Sequence, residues 1–111
     1  MAAQKELRVL VATDGSRHAH AAIATTLHFS WPARTRVRVV IARRTRAAYR
    51  QSILLTALDR SADVAATRAR GALSRRWPEV EIEIVDKAPV QGILAEAERF
   101  GADLVVLGWR G

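Results

Sequence analysis

The chain has 111 residues, half of them apolar and a quarter charged, enough for one hydrophobic core and too little for a second. Its apolar runs reach four or five residues, far short of the ~20 that cross a bilayer, and no cysteine offers a disulfide or a thiolate metal ligand. The net charge of +7 is nearly all arginine and is segmental: residues 34–76 hold twelve arginines against Asp59 and Asp63, whereas residues 77–111 hold seven acids against three bases. The basic segment carries a single aromatic residue, Tyr49, too few to stack on successive bases. That favours a solvated helix surface over a nucleic-acid face, with a nucleotide or an acidic partner as the other reading of such charge. The first ten residues lack the apolar core and cleavage site of a signal peptide, so the protein should stay in the cytoplasm.

Leu7 to Thr13 is a nearly continuous apolar run and predicts a strand buried on both faces, closed by Asp14, Gly15 and Ser16. Ser16 is a suitable N-cap for a helix whose buried stripe is Ala19, Ala22, Ile23, Thr26 and Leu27, stopped by Trp31-Pro32. Arg36 to Ala42 reads as a second strand. A charged loop follows, then a long helix with Leu54, Leu58, Ala62, Ala65, Ala69, Ala72 and Leu73 on its inner face, ending at Trp77-Pro78. Val80 to Asp86 alternates, with Val80, Ile82 and Ile84 on one side and Glu81 and Glu83 on the other, the pattern of a half-buried edge strand. Pro89 suits the first turn of a third helix, whose stripe is Ile93, Leu94, Ala97 and Phe100 and whose stop is Gly101. Asp103 to Gly108 predicts a fourth strand, apolar on both faces, before Trp109, Arg110 and Gly111.

Alternating strands and helices imply right-handed βαβ units, hence a doubly wound (Rossmann-like) α/β fold with a parallel sheet. The apolar first and fourth strands belong in the middle and the more polar second and third further out, giving the order 3-2-1-4. The chain then reverses direction between strands 1 and 4, where such sheets bind ligands outside their carboxyl ends. Two glycine-bearing turns fall there, Asp14-Gly15-Ser16 and Gly108-Trp109-Arg110-Gly111. Asp14 can accept ribose hydroxyl donors or cap its own turn, and Gly108 and Gly111 let backbone amides approach a phosphate. Arg110 could reach the same phosphate or remain in solvent. The order also sets Arg36 and Arg38 beside Glu81 and Glu83, so these charges should meet on one face.

These residues resemble the universal stress protein family. Strand 1 with Asp14-Gly15-Ser16, then Ala19 and Ala22, is similar to that family's opening; Pro89, Ile93, Ala97 and Gly101 through Gly108 are similar to its third helix and fourth strand. The similarity runs from Lys5 to the end of the chain. It implies an adenine-nucleotide site for ATP, with or without Mg2+: Ala12, Thr13, Asp14 and Gly15 at the first turn and Ala42 at the end of strand 2 around the adenosine, Leu107 and Gly108 along the ribose, and Gly111 starting the phosphate loop. Gly108 and Gly111 match the first two glycines of the family's nucleotide signature, while the later glycine and hydroxyl, the last helix and the fifth strand lie past residue 111. The resemblance implies a single domain over residues 1–111, incomplete at its carboxyl end, and a regulatory stress-response module.

Nothing in the chain reads as a catalytic apparatus. Ser16 has no histidine spaced to activate it, and His18, His20 and His28 cannot share one helix face to hold a metal, so any ATP turnover should be slow. The other reading is a non-nucleotide interaction module of the same fold; nucleic acid as a partner ranks last. An uncovered apolar edge on strand 4 should make the chain a homo-oligomer.

Overall fold

The computed structural model describes residues 6–13, 17–43 and 52–108, the side chains of 17–19, 43 and 52–61 excepted. In chain order it contains β1 (Leu7–Ala12), α1 (Arg17–His28), β2 (Thr35–Arg43), α2 (Ser52–Leu73), β3 (Glu81–Asp86), α3 (Pro89–Phe100) and β4 (Leu104–Leu107). The strands are parallel and ordered β3-β2-β1-β4, as the sequence predicts. Helix α2 ends four residues before the expected stop at Trp77, and Ala19, Leu54 and Leu58 lie outside the described side chains.

Strand alternation sorts the core into two layers. Val9 and Val11 of β1 and Val37, Val39 and Ile41 of β2 point to the side covered by α1 and α2, where Ile23, Ala62, Ala65, Ala69 and Leu73 meet them. Leu10, Ala12 and Val40 point the other way and pack under Phe100 of α3, with Ile93, Ala97 and Val105 beside them. Small alanines three and four residues apart let α2 lie close to the sheet. Thr26, fully buried in α1, keeps its hydroxyl satisfied by donating to the Ala22 carbonyl at 2.8 Å.

Two expectations about burial fail. Leu94 is 65% exposed, and the inner face of α3 instead carries Gly92, Glu96 and Phe100, four residues apart. In β4, Leu104 and Leu107 are 43% and 47% exposed, because the strand pairs with β1 on one side and has no partner on the other among the described residues. An apolar run identifies a strand, but only its position in the sheet decides how much of it is covered.

The turn from α3 into β4 is fixed locally. Gly101 adopts φ +69° and donates to the Glu98 carbonyl at 3.1 Å, while Ala102 donates to Ala97 at 2.9 Å, a Schellman closure. Asp103 then sets the register of β4: its carboxylate accepts the Arg8 amide at 2.9 Å, and its own amide donates to the Arg8 carbonyl at 2.8 Å.

Candidate functional site

Helices α1 and α2 cover one face of the sheet and α3 the other, so the chain parts to opposite sides between β1 and β4. At that parting Ala12 stands level with Leu107 on one side and Val40 on the other. Thr13, almost fully buried, ties the end of β1 down by donating its amide to the Val40 carbonyl at 3.0 Å. Gly108 follows Leu107 directly and is half-buried. Ala12, Thr13, Leu107 and Gly108 thus come together at the carboxyl ends of two adjacent strands. Ala42 lies two positions further along β2 than Val40, level with Val85 of β3, so it stands above the sheet end rather than beside Ala12. Asp14, Gly15, Ser16, Arg110 and Gly111 lie outside the described residues.

Gly92 belongs to this region although the sequence reading assigned it no role. A methyl group there would lie 2.9 Å from Val85 Cγ2 and 3.1 Å from Ala42 Cβ, so its lack of a side chain lets the first turns of α3 sit directly against Ala42. Glycine inside a helix costs about 1 kcal/mol relative to alanine, and that cost is the signal that could have marked a close approach.

The opposite pole carries most of the described charge contacts. Arg36 and Arg38 both donate to Glu81, at 2.7 and 3.1 Å, and Arg38 also reaches Glu96 at 3.3 Å. Arg99 donates to the second Glu96 oxygen at 2.6 Å. The guanidinium groups of Arg8, Arg36 and Arg38 lie 5.8, 5.7 and 4.5 Å from the centroid of the Phe100 ring. The expected meeting of arginines and glutamates on one face therefore occurs at Glu81, while Glu83 stands level with Val40, one pair beyond the arginines. Other arginines serve helix ends: Arg76 donates to the Leu27 and Phe29 carbonyls at the end of α1, and Arg8 to the Phe100 carbonyl closing α3, where the helix dipole favours positive charge. Two surface cavities lie at this pole, of about 330 Å³ between Arg34–Val37 and Arg76–Val80, and about 380 Å³ against Ala24 and Phe29. Neither includes a predicted site residue.

The hydrogen bond from Arg38, reinforced by that from Arg36, holds the Glu81 carboxyl below its ordinary range, against a partial burial that pushes it up. The folded protein thus binds this proton less readily than the unfolded chain. The resulting stabilisation is present above the unfolded value, near pH 4.3, and disappears as pH falls through the lower folded value. Glu81→Gln should therefore be less stable than the parent at pH 7, by no more than about 1 kcal/mol for so exposed a pair, with the gap closing below about pH 4. Urea melts at several pH values would show it; a gap independent of pH would contradict the assignment.

A family model described as the universal stress protein family matches residues 7–111. Among solved structures, the fold is similar to that of a universal stress protein family member from Burkholderia pseudomallei, at 25% identity over 92% of this chain and 80% of that one, with a TM-score of 0.74. It is also similar to universal stress protein UspA from Lactobacillus plantarum, at 24% identity over 98% and 81% of the two chains with a TM-score of 0.65. A universal stress protein crystallised in complex with cAMP shares the fold at 19% identity, over 90% and 74%, with a TM-score of 0.69. No curated protein matches the chain.

Proposed function

We propose that this chain, which belongs to the universal stress protein family, binds an adenine nucleotide at the carboxyl ends of β1 and β4 and acts through binding as a regulatory module. The observation that carries this reading is the convergence of Ala12, Thr13, Leu107 and Gly108 at the carboxyl ends of β1 and β4, where the chain reverses and sheets of this order take their ligands. Ala12, Ala42 and Gly108 are small, so a flat base can approach the backbone without displacing a side chain. The complex of a similarly folded universal stress protein with cAMP supports an adenine ligand. ATP is the ligand in this reading. Asp14 accepts the ribose hydroxyls, and the amides around Gly108 and Gly111 receive the phosphates. In this reading any Mg2+ enters on the phosphates of the nucleotide.

Calorimetric titration with ATP and AMP tests the reading. Both should bind, and Asp14→Ala should weaken both by a similar factor of roughly 10 to 150, the worth of one hydrogen bond to a charged group. Loss of ATP affinity alone would move Asp14 from the ribose to the phosphates. No binding of either nucleotide to the parent chain would favour the non-nucleotide interaction module.

A further inference from the structure

The pole of the sheet away from the carboxyl strand ends holds a concave site of its own. A cavity of about 330 Å³ opens between the start of β2, residues 34–37, and the turn from α2 into β3, residues 76–80. That volume is at the small end of ligand pockets and fits a free small molecule better than a protein segment. Both walls are fixed by main-chain bonds. The Trp77 amide donates to the Leu73 carbonyl at 2.8 Å and the Val80 amide to the Trp77 carbonyl at 3.0 Å, while Val37 is paired in the sheet with Val9.

Apolar and cationic groups meet in the lining. Val37 and Val80 are buried, Trp77 is half-buried and Pro78 is exposed. Arg34, Arg36 and Arg76 stand against Glu6 and Glu79, a surplus of one positive charge. Arg36 is already held by Glu81 at 2.7 Å and lies 4.0 Å from Glu6, which Arg8 also binds at 3.3 Å. Arg76 is placed differently. It donates to the main-chain carbonyls of Leu27 and Phe29 at 2.8 and 2.9 Å, and its guanidinium lies 4.8 Å from the centroid of the Trp77 ring. Carbonyls carry no net charge, so these bonds position the guanidinium without neutralising it. Both leave from Nη1, so the Nε–Nη2 edge, which takes a carboxylate two-pronged, is not spent on them.

We propose that this cleft is a binding site for a small organic acid, one carboxylate on an apolar body, with the carboxylate on the Nε–Nη2 edge of Arg76 and the body against Trp77 and Pro78. One surplus charge suits a monocarboxylate, whereas a polyphosphate would bring further negative charge against Glu6 and Glu79. Because the fold already orders Arg76, little side-chain entropy is lost on binding. The six residues of β1, rising about 3.3 Å each, put this cleft roughly 20 Å from the carboxyl strand ends, so acid and nucleotide can be bound together.

Phenylacetate is the probe. Added to the nitrogen-15-labelled protein at pH 7, it should move the Trp77 indole and Arg76 Nε resonances along one saturable curve. A low-millimolar dissociation constant is expected for about ten non-hydrogen atoms. Phenylacetamide, of the same shape but uncharged, should bind at least about tenfold more weakly. Arg76→Lys keeps the charge and a donor for the two carbonyls but loses the paired edge, so it should weaken phenylacetate at least about fivefold and leave the amide unchanged. If the lysine variant does not fold, the comparison of acid with amide on the parent chain decides alone. Saturating ATP should leave the phenylacetate curve in place. No saturable shift at Trp77 and Arg76 up to about 50 mM, equal binding of acid and amide, parent affinity in a folded Arg76→Lys, or displacement by ATP would overturn the proposal.

Discussion

Glu96→Ala should destabilise the protein by about 3–5 kcal/mol, the range for removing one partner from a buried ion pair. Glu96 is 1% exposed on the inner face of α3, where one oxygen accepts from Arg38 and the other from Arg99. The Arg99 contact contributes little, since that side chain is 66% exposed. Arg38 is the costly partner: it is 14% exposed, and its Nε has no hydrogen-bond acceptor. Without Glu96 it keeps Glu81 alone, and a guanidinium under a helix cannot recover water. The pair Arg38→Met with Glu96→Leu should restore most of the loss, because it removes both charges and fills similar volume. Chemical denaturation of the single and double variants measures this directly. A loss below about 1 kcal/mol for Glu96→Ala would mean that water reaches Arg38 in solution.

Phe100→Ala should cost a similar amount, about 3–5 kcal/mol, for a different reason. The ring is 2% exposed and joins Leu10, Ala12 and Val40 in the layer beneath α3, so truncation opens a cavity at the centre of that layer. The same ring also faces three guanidinium groups, with Arg38 nearest at 4.5 Å. Phe100→Leu separates the two contributions. Leucine refills much of the volume but offers no π face, so it should remain about 1–2 kcal/mol less stable than the parent. If leucine restores full stability, the ring serves only as apolar volume.

The order of the elements was legible because each carries its own period. Val37 and Val39 alternating with Arg36 and Arg38, and alanines every three or four residues from Ala62 to Ala72, specify strand and helix without reference to anything distant. Right-handed crossovers then leave few topologies, and strand polarity chose the one observed. Of the candidate site, only the convergence of Ala12, Thr13, Leu107 and Gly108 was legible in this way, because strand ends are local features of a known topology, whereas Ala42 stands beside Val85 instead.

Glu96 and Leu94 show where local pattern stops. An average helix stripe places the leucine inside and the glutamate outside, but beneath the carboxyl half of α3 Arg38 meets Glu96, so the helix turns that carboxylate inward and leaves Leu94 in solvent. Gly92 likewise acquires a role only when α3 meets Ala42 and Val85 from two other elements. The sequence alone determined which segments become strands and helices and the order in which they pack, since periodicity and handedness are properties of the chain itself. Tertiary structure alone decided which charges are buried, how close α3 comes to the strand ends and which leucines remain exposed, because each depends on what a distant segment presents across the contact.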